Sequence, residues 1–132
     1  MRYLIILLLI SQTAFSAEKL LHCKFKWGDK VSPEKKTVFS EGELSDVYLK
    51  IDFDREKVID SPFNVYGTFG INKTNVVFTS SEVKWYGKNK YVRRVATLDR
   101  QTGRLRSVYN NLANKRESGE ENYTCSLGNL RF

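Results

Sequence analysis

Histidine occurs once in the 132 residues, methionine once, and proline and cysteine twice each. Each scarcity removes a class of function. One histidine leaves no histidine-rich metal site and no imidazole base free to activate a nucleophile, because His22 stands beside Cys23 on the outward parity of its segment and reads as solvated. There is no C-x-x-C pair, no phosphate-binding P-loop, no G-x-S-x-G turn and no dinucleotide fingerprint. The acids Asp52, Asp54, Glu56 and Asp60 alternate as calcium ligands do. No glycine occupies the sharp-turn position among them, so they read as charged turn residues. The expectation is a protein that is not an enzyme and needs no metal or cofactor.

Long apolar runs are missing too. The longest, Leu4 to Ile10, falls well short of the roughly 20 residues that span a bilayer, so no transmembrane anchor is expected. It follows a lone Arg2 and precedes a short polar stretch with small residues, the three-part layout of a secretory signal peptide. Cleavage after Ser16 places Ala14 and Ser16 at the two small-residue positions. The expectation is a signal peptide over 1–16 and an exported domain over 17–132, periplasmic or secreted. Lipidation at Cys23 is not expected, because Leu21-His22 supplies no small residue directly before it.

Export gives the two cysteines a meaning. Cys23 and Cys125 lie 102 positions apart, near the two ends of the exported part, and an even count in an oxidising compartment argues for one disulfide. In the chain-entropy model a loop of that length stabilises the fold by about 4.7 kcal/mol.

What the chain does have is a period of two. Leu21, Cys23, Phe25 and Trp27 alternate with His22, Lys24 and Lys26; Val47, Leu49, Ile51 and Phe53 alternate with Tyr48, Lys50 and Asp52. Further strands are expected at 64–71, 75–79, 82–86, 91–99, 104–109 and 121–127, and no stretch shows a 3.6 period. Hairpins are expected at Asp54 to Lys57, near Asn72, and from Asp99 to Gly103, where Gly103 supplies a positive φ. Residues 28–45 and 110–122 read as longer loops. Together these predict one all-β domain of about eight strands, an antiparallel meander closing into a barrel or a two-layer sandwich. The inward positions carry large side chains such as Phe25, Trp27, Leu49, Ile51 and Phe53, which predicts a packed interior with no pocket for a lipid chain.

The segment "LDRQTGRL", an Asp-Arg-x-Thr-Gly-x-Leu hairpin spanning about ten residues, resembles that of small exported bacterial β-domain proteins of unknown function. The resemblance implies an exported compartment and β architecture, and no activity. Size, export signal and terminal disulfide are also similar to the small β-barrel lysozyme inhibitors of the periplasm, but the Ser-Gly-x-x-Tyr motif of that family is absent.

Positive charge is distributed unevenly. Once Arg2 is set aside, 21 Lys and Arg stand against 15 Asp and Glu. From Lys84 to Arg106 there are eight cations, namely Lys84, Lys88, Lys90, Arg93, Arg94, Arg100, Arg104 and Arg106, and one anion, Asp99. That segment holds the whole excess. Adjacent antiparallel strands would gather it into one patch able to attract lipid phosphates, acidic glycans or nucleic acid, with Tyr86 and Tyr91 interleaved and Trp85 on the core parity. Arg93 and Arg94 are consecutive, which predicts either a bulge that turns both outward or one of them buried with a carboxylate partner. The alternative functions are a small-ligand carrier of lipocalin-like barrel type and a periplasmic inhibitor of a hydrolase. In a further alternative the cations merely keep a sheet edge soluble.

Overall fold

A computed structural model describes residues 18–63, 73–113 and 116–126. The proposed signal peptide, the strand expected at 64–71, the turn at Asn72 and Leu127 lie outside those residues. Among the described residues there are nine antiparallel strands: β1 (Glu18–Val31), β2 (Lys36–Ser40), β3 (Val47–Asp52), β4 (Lys57–Asp60), β5 (Lys73–Phe78), β6 (Glu82–Lys88), β7 (Val92–Asp99), β8 (Arg104–Asn111) and β9 (Ser118–Ser126). The fold class is the expected one, all-β and antiparallel, with no helix among the described residues.

Strands β5 to β9 form a meander, and β9 then pairs with β1, so the first and last strands are neighbours. The order is β4-β3-β1-β9-β8-β7-β6-β5, a sheet nearly closed into a barrel, while β2 lies on β1 beside the end of β3. Side chains bridge the remaining gap. Phe53 meets Phe78 edge-on at 6.2 Å, and the Trp85 indole N–H donates to Ser61 Oγ at 3.2 Å. The two longer loops prove shorter than expected. β1 runs on to Val31 and forms a hairpin with β2, and β8 and β9 extend to Asn111 and back to Ser118. Polar residues such as Asn110, Glu120 and Glu121 are strand residues of the sheet, not loop residues.

Alternation sorts the side chains. Inside, Trp85 and Phe25 are each 1% exposed and pack with Val83, Leu98, Leu105, Leu49, Ile51 and Tyr123. Small residues make the space: Trp85 stands in a cross-strand row with Ala96 and Ser107. Phe63 folds back over Tyr123, with ring centroids 5.7 Å apart. Asp52, expected on the outward parity, is instead buried, because its Oδ1 accepts the N–H groups of Asp54 and Arg55 and so caps the β3–β4 turn. At the β7–β8 turn Gly103 has the expected positive φ, 76°. A Cβ there would also approach the Cys125 carbonyl oxygen to 2.6 Å, so this turn is pressed against β9.

The packed interior does not extend to the mouth. An open cavity of about 590 Å³ lies between Leu21, Phe53, Leu98 and the polar β7–β8 turn, beside the packed interior in which no lipid-sized pocket is expected. Its wall is more apolar than polar, with the β7–β8 turn supplying most of the polar part.

Cys23 and Cys125 face each other in the β1–β9 ladder and form the expected disulfide. It fastens the first strand to the last, at the pairing with the greatest sequence separation in the sheet. Replacing both cysteines with alanine is expected to lower unfolding stability by about 2–5 kcal/mol, read as a shift in denaturant midpoint. A change below about 0.5 kcal/mol would mean that the β1–β9 hydrogen bonds alone close the chain.

Candidate functional site

The eight sequence-selected cations do not all meet. On the outer face of the sheet stand Lys84 and Lys88 from β6, Arg93 from β7, and Arg104 and Arg106 from β8. Lys88 pairs directly opposite Arg93, and on its other side the register places Lys73. Like charges opposite one another destabilise a sheet. Among the described residues none of Lys84, Lys88, Arg93 and Arg104 forms an ion pair, so that repulsion has no local compensation. Tyr86, 39% exposed, lies between Lys84 and Lys88 on the same face.

The remaining three lie elsewhere. β7 pairs with β6 and β8 without a register shift, so Arg93 and Arg94 point to opposite faces. Arg94 turns inward without the expected bulge and, among the described residues, without the expected carboxylate partner: its guanidinium sits 5.6 Å from the Phe63 ring and 5.3 Å from the Tyr109 ring. Cation–π attraction and the weak hydration of a guanidinium make that place tolerable. Arg100 lies at the β7–β8 turn, 5.1 Å over Phe53, and donates to the Thr79 carbonyl at 2.6 Å. Lys90 lies in the β6–β7 turn, 5.9 Å from the Tyr91 ring. Trp85 is in the core, as its parity indicates.

A second group of residues joins the face through a feature that alternation misses. The β1–β9 register shifts between Phe25 and Trp27, a β-bulge with Lys26 as its extra residue. Phe25 and Gly28 therefore both face inward, and Trp27 is turned out to 47% exposure instead of joining the core as its parity predicts. Gly28 makes the bulge possible, because a Cβ there would come within 2.5 Å of the Glu120 carbonyl oxygen and 3.3 Å of the Phe25 ring. A glycine inside an apolar strand pattern is the sequence signal for this. On the other edge of β1, the Phe25 N–H lies beyond the end of β3 and donates to Asp46 Oδ1 at 3.2 Å. Asp46 also bonds the His22 ring at 2.8 Å, which holds its carboxyl below the usual range. His22 stacks on Tyr48, 4.9 Å between centroids.

The consequence is a groove of about 400 Å³ on the outer face. Arg106, Asn122 and Trp27 form one cross-strand row over β8, β9 and β1; Arg104, Thr124 and Lys24 form the next. Long side chains on β8 and β1 make the walls, and the short Asn122 and Thr124 on β9 make the floor. Lys24 and Lys26 share Glu41 at 3.1 and 3.3 Å, and Arg106 Nε holds Glu120 at 2.6 Å. Arg104 forms no ion pair among the described residues, though Asp99 across the β7–β8 turn lies within its field. Among the described residues no three His, Cys, Asp or Glu side chains gather to hold a metal ion.

The hydrogen bond from Arg106 holds the Glu120 carboxyl below its usual range, and Asn122 Nδ2 adds a second at 3.2 Å. A depressed carboxyl pKa contributes stability above the unfolded-state value, and that contribution disappears as pH falls through the folded-state value. Arg106→Ala is therefore expected to return the Glu120 titration, followed by carboxyl NMR, towards the ordinary glutamate range near about 4.3. An unchanged midpoint would show that the Arg106 contact is not what sets it. No protein-family model matches this chain, and no curated protein or solved structure matches it.

Proposed function

We propose that this chain is a non-catalytic, exported binding domain that attaches to anionic surfaces or polymers through the outer face of β6 to β8. One observation carries the reading: Lys84, Lys88 and Arg93 share that face and form no ion pair among the described residues, and Lys88 and Arg93 stand directly opposite each other in the ladder. Such an arrangement costs folding stability and favours association with phosphates, carboxylates or sulfates. Export is supported by the Arg2-led apolar run and by the Cys23–Cys125 bridge. Among the described residues no helix is long and apolar enough to cross a membrane. The open cavity beside Leu21 and Leu98 favours a second reading, a carrier of a small amphipathic ligand at the barrel mouth.

Purified protein is expected to bind heparin and phosphatidylglycerol vesicles at low salt, and the affinity should fall linearly on a log–log plot as salt rises. Reversing Lys84, Lys88 and Arg93 to glutamate should abolish that binding. Reversing Lys35, Lys36 and Lys57, the same number of charges at exposed sites elsewhere, should reduce it only slightly. Equal losses would leave net charge as the whole cause, and absence of binding by the parent at low salt would reject the reading.

A further inference from the structure

We propose that the groove between β8 and β1 is the specific site on this face, and that it takes a carboxylated sugar ring, the repeating unit of a uronic-acid polysaccharide. The inference rests on the anion-binding reading above and names its ligand class. The indole of Trp27 offers a flat apolar surface at a place where the core does not need it, held outward by the Lys26 bulge and Gly28. A pyranose has such a face too, formed by its axial C–H bonds, and stacking on an aromatic buries both. Below it, Asn122 gives one N–H of its amide to Glu120 and offers the other as a donor and its side-chain carbonyl as an acceptor, while the exposed Thr124 hydroxyl donates or accepts. Those are partners for ring hydroxyls. Arg104 stands one row away, near Asp99 but in no ion pair among the described residues, so its planar fork can take a carboxylate through two parallel N–H···O bonds.

The charges around the groove select against other anions. Glu120 sits against Arg106 on one side, Glu41 against Lys24 and Lys26 on the other, and Asp99 near Arg104, so four cations meet three carboxylates and only a small positive excess is left. A phospholipid surface or a phosphodiester strand would bring dense negative charge against these carboxylates. A sugar ring brings one carboxylate amid neutral hydroxyls. Nucleic acid also stacks on several aromatic platforms in succession, and here one indole lines the groove. A volume of about 400 Å³ lies within the usual range of small-ligand sites, roughly 300–1,000 Å³.

The test is a titration of full-length protein with tetragalacturonate, followed by calorimetry and by tryptophan emission, in which the buried Trp85 supplies a background that Trp27→Phe isolates. Saturable binding with a change in Trp27 emission is expected, and a methyl-esterified tetragalacturonate should not reproduce it. Trp27→Ala and Arg104→Gln should each weaken binding about tenfold or more at unchanged melting temperature. Reversal of Lys84, Lys88 and Arg93, which lie outside the groove, should weaken it less than either. Parent-like binding by Trp27→Ala and Arg104→Gln would overturn the groove assignment, and the polyanion reading would survive through the β6–β7 cations. Trp27-dependent binding of oligodeoxythymidylate or phosphatidylglycerol vesicles, with none of tetragalacturonate, would overturn the sugar class. If neither tetragalacturonate nor heparin binds at low salt, the reading beneath the inference falls with it.

Discussion

β1 has to serve three neighbours at once, and the sheet depends on how it does so. Along one edge it pairs with β9 from His22 to Val31; along the other it pairs first with β3 and then with β2. The single extra residue at Lys26 falls where β3 ends and β2 begins, and there Asp46 satisfies the N–H of Phe25. With the bulge, Phe25 and Gly28 both face the interior and the strand gains local twist, which helps the sheet curl toward closure. Without it, every residue after Phe25 would change sides: the large Trp27 would face the barrel interior, and Gly28 would lose its close approach to β9. The disulfide three positions before the bulge then fixes the register of that pairing.

The same accommodation connects packing to function. Because Trp85, Phe25, Leu49, Ile51 and Leu105 fill the interior, the outer face is not needed for stability and is free to carry cations and aromatics. It carries both. Glu120 pairs with Arg106, Glu41 with Lys24 and Lys26, and Asp99 lies near Arg104, while among the described residues Lys84, Lys88 and Arg93 form no ion pair. Surface ion pairs of this kind add little to folding, a median near 0–1 kcal/mol, so their effect is better read as shaping the local field. The Arg93-Arg94 pair shows the division within two residues: one serves the surface, and the other is absorbed among Phe63 and Tyr109.

Much of this was legible in the sequence wherever strict alternation held. Trp85 on the core parity, the Gly103 turn, the bridge between the terminal cysteines and the all-β class follow from a period of two and from turn chemistry. Alternation fails wherever the ladder is irregular or a polar group has a local task. Strict alternation places Trp27 inward, and the extra residue of the bulge turns it out. Alternation places Asp52 outward, and its role as a turn cap, which depends on two backbone N–H groups that come later in the chain, buries it. The sequence also grouped eight cations that only partly converge, since sequence proximity does not separate Arg94 inside from Arg93 outside, or a turn residue such as Arg100 from a strand face. The residues of β1 that complete the groove, Lys24, Lys26 and Trp27, lie far from β8 in sequence and adjoin it only through β9.

The central claim is that the bulge turns Trp27 to solvent while Trp85 stays sealed, and iodide quenching of tryptophan fluorescence tests it most directly. The two side chains are 47% and 1% exposed, so the parent protein should show one quenchable and one protected component. Trp27→Phe should lose the quenchable component entirely and keep the protected one. Two protected tryptophans in the parent, or a quenchable component that survives Trp27→Phe, would contradict the outward turn of β1 and the groove built on it.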